Sequence, residues 1–98
     1  MIKWSNRGTL RLRQCRDYIA AESYDWATAW RWEDKVLESV EHLSDFPESG
    51  VVVRELCRND IRQILVGDYR IIYRVKAQQC EIISVRHSRF LISSIHSL

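Results

Sequence analysis

The sequence predicts an α+β domain in which an N-terminal helical hairpin packs on one face of a small antiparallel β-sheet. Up to Leu43 the apolar residues recur every three or four positions; the segment Leu43 to Gly50 then holds the only proline, Pro47; beyond it the apolar period falls to two. With 98 residues, 46% of them hydrophobic and 29% charged, there is material for one core and no second, so residues 1–98 are expected to form a single domain.

Ile2 to Trp4 reads as a short first strand. Ser5 or Asn6 then caps a helix whose apolar positions Leu12, Cys15 and Ile19 share a face and which ends near Glu22. Asp25 offers a second cap, and Ala29, Trp32, Val36, Val40 and Leu43 mark an amphipathic helix. Pro47 lacks an amide donor and Gly50 supplies free backbone angles, so the helix is broken between them. Strand-type runs follow at Val51 to Leu56, Ile61 to Val66, Tyr69 to Ala77 and Cys80 to Val85, with Gly67-Asp68 as a two-residue hairpin turn. That turn sets Val66 opposite Tyr69 and gathers Ile64, Val66, Tyr69, Ile71, Tyr73 and Val75 on the face that takes the helices. Arg62 falls on the same side, opposite Tyr73, and a one-residue change of turn length would move it across. The other face carries Ile61, Gln63, Leu65, Arg70, Ile72, Arg74 and Lys76, half apolar and half cationic, and is expected to stay open for a partner. Ser88 to Leu98, with Leu91, Ile92 and Ile95 at helical spacing, is expected to be a short closing helix or a frayed tail.

No apolar run accompanies the N-terminal cations Lys3, Arg7, Arg11, Arg13 and Arg16, so neither a signal peptide nor a membrane span is read there, and a cytoplasmic protein is expected. Cys15, Cys57 and Cys80 are odd in number and far apart, against both a disulfide framework and a zinc site; no metal or cofactor is expected. The first 49 residues carry seven Lys and Arg against nine Asp and Glu, the last 49 eight against four. Cationic chemistry therefore lies in the second half. Only Lys3, Lys35 and Lys76 among the fifteen cations are lysine, and the arginine excess favours forked contacts to carboxylate or phosphate.

Several segments in order carry a family resemblance. Leu43, Phe46, Pro47 and Gly50 form L-x-x-F-P-x-x-G after the helical hairpin; Asp60-Ile61-Arg62, Val66-Gly67, Tyr69-Arg70-Ile71-Ile72-Tyr73 and Val85-Arg86-His87 follow at the expected spacing. In these the chain resembles the RelE/ParE toxins of type II toxin-antitoxin systems, and the match spans nearly its whole length. The resemblance implies a toxin silenced by a cognate antitoxin whose C-terminal segment wraps it, with a toxin-antitoxin heterotetramer as a compatible assembly. Family members poison either DNA gyrase, in the ParE-like branch, or mRNA on the ribosome, in the RelE-like branch.

The two branches need different residues. Cutting RNA at a 2′-hydroxyl requires a proton acceptor, a cation on the strained phosphate and an acid for the leaving oxygen. Arg70 as the clamp, His87 as acid or base and Arg89 as added charge make a partial set. Two lysines of the RelE-like nucleases align with Ile61 and Gln63, and the tyrosine those enzymes place after the last strand has no counterpart, the last here being Tyr73. The ParE-like reading is therefore favoured, with Arg62, Arg70, Arg74, Lys76, Arg86, His87 and Arg89 as target- or antitoxin-binding residues. Phe90 departs from the family, which often has a further basic residue there. Trp26 and Trp30 share a helix face that Trp32 does not, and are expected to anchor a partner chain. Each residue has a plainer reading: His87 as a hydrogen-bonded surface histidine, Arg70 and Arg74 as solvated or antitoxin-paired charges, the tryptophans as caps on the core edge. A third class, a non-toxic nucleic-acid-binding module, fits poorly, because net charge is only +2 and the aromatics are not interleaved with the cations.

Overall fold

The computed structural model describes residues 2–98. β1 (Ile2–Trp4) is followed by α1 (Asn6–Ser23), α2 (Trp26–Glu41), β2 (Val51–Val52), β3 (Ile61–Val66), β4 (Tyr69–Lys76) and β5 (Gln79–His87). The sheet order is β1-β5-β4-β3-β2, with β1 parallel to β5 and every other pairing antiparallel.

Both helix caps form as their side chains dictate. Ser5 Oγ accepts from Gly8 N–H at 2.9 Å and donates to the Ile82 carbonyl at 2.9 Å, so the cap that starts α1 also fastens it to β5. Gly8 is needed there: a Cβ would stand 2.4 Å from the Ile82 oxygen. Asp25 caps α2, its Oδ1 accepting from Ala27 N–H at 3.0 Å. Leu12 of α1 and Val36, Val40 and Leu43 bury against Val66, Tyr69, Ile71, Tyr73, Ile82 and Val85 to make the main core. Gly50 N–H donates to Tyr73 Oη at 2.9 Å, which ties the loop after α2 to the sheet.

The hairpin register is the expected one, Val66 opposite Tyr69 and Arg62 opposite Tyr73. Gly67 at φ +60° supplies the turn. Arg62 stays at the helix-side margin by donating to the carbonyls of Gly50, at 2.8 Å, and Glu48, at 3.3 Å.

Two expectations need correction. The run Val51 to Leu56 is a strand only over Val51–Val52; Arg54–Leu56 is a 3-10 turn. The antiparallel sheet is the expected one, with β1 added to it as a parallel edge strand. Most consequential, the second sheet face is covered by the chain itself. Ile92 and Leu98 bury with Val53, Ile61 and Ile72 in a second core, joined at its edges by Leu56, Ile83 and Ile95. The segment after β5 is thus neither a closing α-helix nor a frayed end, but a strap ending in a 3-10 turn at Ile95–Ser97. Its cause is the burial of apolar area: Ile61 and Ile72 point away from the helices, and Ile92 and Leu98 supply the partner surface. On the same face Leu65 remains 63% exposed.

Candidate binding cleft

Arg70, expected at the centre of an open cationic face, is only 6% exposed. Its Nη1 and Nη2 donate to Glu55 Oε2 and Oε1, each at 2.9 Å, its Nε to Gln63 Oε1 at 2.8 Å and its Nη1 also to the Phe90 carbonyl at 3.2 Å. Hydrogen bonding from Arg70 holds the Glu55 carboxyl down at about 2. An arginine so satisfied is a structural pin under the strap. The open-face reading of Arg70 is therefore corrected: the chain's own Glu55 supplies the carboxylate that a partner was expected to bring.

The remaining predicted residues fall into separate groups. Arg74 lies 3.8 Å from Asp60, which Arg58 holds more tightly at 2.8 Å. Arg74 and Lys76 flank a hollow with Lys3 at the far end of the sheet from the last residues of β5. Trp26 and Trp30 lie on the outer side of α2, 54% and 50% exposed, with ring centroids 6.2 Å apart and the Arg16 guanidinium 4.9 Å from the Trp30 ring. Trp32 instead turns inward against Tyr69, at 5.0 Å.

Arg86, His87 and Arg89 do come together, in a cleft of about 360 Å³ between α1 and the end of β5. Arg11, Gln14, Cys15 and Tyr18 line it from α1, and Tyr69, Val85 and Phe90 complete the wall. Arg11 and Tyr18 were not singled out from the sequence, although Arg11, Cys15 and Tyr18 follow helical spacing and so had to share a face. Arg86 donates to the Ser97 carbonyl and Arg7 to that of Leu98, so two arginines from different elements clasp the end of the strap. Burial, and after it the Arg11 guanidinium, push Arg86 below its ordinary value. Among the described residues no carboxylate forms an ion pair with Arg11, Arg86 or Arg89. The cleft therefore concentrates positive charge that the chain leaves uncompensated.

Its proton-transfer capacity is small. His87 Nδ1 accepts from the Arg89 N–H at 3.1 Å, which leaves Nε2 as the ring nitrogen open to a ligand. Burial pushes the Cys15 thiol up to about 11 and the Tyr69 hydroxyl to about 12, so neither ionises readily near neutrality. Among the described residues no three His, Cys, Asp or Glu side chains are grouped to hold a metal, and no helix is long and apolar enough to cross a membrane.

With fold and cleft in view, the comparisons with known proteins agree with one another. The model of the family described as "ParE toxin of type II toxin-antitoxin system, parDE" matches residues 2–91. The strap from Ile92 onward lies outside that match. Among solved structures the chain is similar to one titled "Chromosomal ParDE TA system from P. aeruginosa", with a TM-score of 0.72 and 16% identity over 88% of this chain and 92% of that one. At that identity the likeness establishes the fold. No curated protein matches the sequence.

Proposed function

The chain belongs to the ParE toxin family of type II toxin-antitoxin systems, and from that premise we propose that it inhibits DNA gyrase by binding, performs no hydrolysis, and is silenced by a cognate antitoxin. The observation that carries this reading is the state of the second sheet face. RNA cleavage there would need a phosphate clamp with acid and base beside it. Instead Arg70 is neutralised by Glu55, Ile61 is fully buried, and Ile92 and Leu98 cover the centre of the face. The α1/β5 cleft offers one imidazole, His87, where general acid–base cleavage needs both a proton acceptor and a proton donor. What it offers in quantity is guanidinium, which suits recognition of acidic groups.

Arg86, His87 and Arg89 are the residues we assign to partner contact, with Trp26 and Trp30 as anchors on the outer face of α2. Arg62, Arg74 and Lys76 are peripheral contributors in this reading, since they lie on other margins of the fold. A hydrogen bond to a charged group contributes about 1.5–3 kcal/mol, so losing one cleft arginine should weaken the complex by roughly ten- to a hundredfold.

The test uses the protein freed from its antitoxin. Supercoiling by purified gyrase should fall as toxin is added and recover when the antitoxin, the product of a neighbouring gene, is supplied, while mRNA in a translation extract stays intact. Cleaved mRNA with undiminished supercoiling would overturn the proposal in favour of the RelE-like activity.

A further inference from the structure

The outer side of α2 carries an apolar stripe that the chain does not cover. Trp26, Trp30 and Leu37 recur at helical spacing, which brings the three side chains to one side of the helix. They are 54%, 50% and 42% exposed. The core side of the same helix, with Ala29, Val36 and Val40, lies elsewhere on its circumference.

Charge is divided across this stripe. Helical spacing places Asp34, Glu38 and Glu41 along one flank. Along the other runs α1, whose Arg16 reaches the Trp30 ring at 4.9 Å and Glu33 at 3.6 Å. Arg13 stands one turn from Arg16, and the short turn between α1 and α2 makes them antiparallel, so Arg13 comes level with Asp34 and Leu37. Among the described residues Arg13, Asp34, Glu38 and Glu41 form no ion pair.

We propose that a second copy of this chain docks on the stripe, α2 against α2, with the two helices running in the same direction about a two-fold axis between them. The proposal rests on the reading of Trp26 and Trp30 as partner anchors given above, and names the partner.

Symmetry and charge together select the arrangement. A two-fold axis along the helix pair sets one flank of α2 against the opposite flank of its copy, whereas an axis across the pair sets like flank on like flank. With parallel helices the carboxylates of Asp34 and Glu38 therefore meet the α1 arginines of the partner, and the contact is made twice. Antiparallel helices would bring carboxylate to carboxylate and guanidinium to guanidinium. In the parallel pair Trp26, Trp30 and Leu37 each face their own counterpart, which gives the tryptophans an aromatic neighbour across the axis. The same acidic flank disfavours nucleic acid as the occupant, because it would repel a phosphate backbone.

The α1/β5 cleft stays free in such a pair, since no residue of α2 lines it. Each toxin copy can then hold an antitoxin while joined to the other. Size sets the strength. A tryptophan buries roughly 150–250 Å² in full, so two half-exposed rings with Leu37 offer on the order of 300 Å² per protomer. A standard interface takes about 800 Å² per partner, so the flanking charges must extend the contact and the dimer belongs to the weak, reversible class.

The experiment is sedimentation velocity on the purified toxin without antitoxin or gyrase. Monomer is expected at about 1 µM, passing to dimer toward roughly 100 µM. Trp26→Gln with Trp30→Gln should give monomer throughout at an unchanged melting temperature, since both rings lie outside the core. Asp34→Arg should weaken the dimer about tenfold, and adding Arg13→Asp should restore it. Orientation is read from Leu37→Cys in a Cys57→Ser background, chosen because Cys57 is exposed. Mild oxidation should link the parallel pair through the new thiols, which an antiparallel pair would hold apart. A toxin that stays monomeric at the higher concentration overturns the proposal, as does a dimer indifferent to the two tryptophans. So does a tryptophan variant that still dimerises but no longer binds antitoxin, which would make the antitoxin the occupant. A monomeric toxin that blocks supercoiling removes only this inference; a dimer that does not block it removes only the target assignment.

Discussion

Arg70 and Glu55 meet through two parallel hydrogen bonds of 2.9 Å, and the same carboxylate accepts from the Ile92 N–H at 3.3 Å. One acidic side chain thus joins the centre of the sheet, the 3-10 turn after β2 and the start of the strap. Glu55→Gln removes the charge and leaves the buried Arg70 cation short of a partner. Breaking a buried pair costs about 3–5 kcal/mol, and since the Glu55 side chain is 24% exposed the expected loss is nearer ~2–3 kcal/mol. Urea unfolding measures it. Amide exchange at Ile92 should accelerate more than that of the main-core strands, and a variant as stable as the parent would show that the strap is held by apolar contact alone.

The same pair sets an acid limit. Glu55 is held at about 2 against an ordinary value of 4.5, a depressed carboxyl. Such a group contributes its full stability above the unfolded value and loses it as pH falls through the folded one. Stability attributable to Glu55 should therefore be complete above about 4.5 and decline toward about 2. Asp60 is also lowered, by Arg58, and will add to the acid slope. The difference between the parent and Glu55→Gln isolates the Glu55 part, and parallel acid-unfolding curves for the two proteins would refute it.

The helical hairpin and the β3–β4 register were legible because periodicity and a Gly-Asp turn are local signals: Val36, Val40 and Leu43 had to share a face, and Val66 had to meet Tyr69. The strap was not. The helical spacing of Leu91, Ile92 and Ile95 pointed to a closing helix or a frayed tail, whereas the burial of Ile92 and Leu98 depends on Ile61 and Ile72, which belong to strands far off in sequence. For the same reason Arg70 was misread. A cation on a half-apolar strand face looks like a binding residue until Glu55, fifteen positions away and in a turn expected to be strand, is seen to reach it. In the cleft, Arg86, His87 and Arg89 were legible as neighbours at the end of a strand, but Arg11 needed α1 to be laid over β5.

Ser84 lies fully buried opposite Ile72, and its hydroxyl has no hydrogen-bond partner. A buried unsatisfied polar group costs about 1–3 kcal/mol, and alanine removes it with little loss of volume. Ser84→Ala should stabilise the protein by about 1 kcal/mol in urea unfolding. A destabilised variant would mean that the hydroxyl is satisfied in solution, by water entering beneath the strap.

Ala77 and Gln78 join β4 to β5 with φ of +51° and +65°, a type I′ geometry adopted by two residues that carry a Cβ. Left-handed backbone costs a non-glycine residue about 1–2 kcal/mol, partly offset in a glycine variant by greater freedom when unfolded. Gln78→Gly is expected to raise stability by about 0.5–1 kcal/mol, and Ala77→Asn to add less. Thermal unfolding decides it, and a lower melting temperature for Gln78→Gly would contradict the turn assignment.

Arg70 and Arg89 should fail in different ways. Arg70→Ala strands Glu55 under the strap and should cost about 3 kcal/mol, so toxicity in cells falls because less protein is folded and the melting temperature drops. Arg89 has no carboxylate partner among the described residues and is exposed. Removing it leaves the core contacts intact, so Arg89→Ala should keep the parent melting temperature while gyrase inhibition weakens by about tenfold, the loss of one charge-assisted contact. The decisive comparison is inhibition per folded molecule: Arg70→Ala should match the parent at low temperature, where it is folded, and Arg89→Ala should not. If the two variants exchange these behaviours, the sheet face is the gripping surface and the α1/β5 cleft is not.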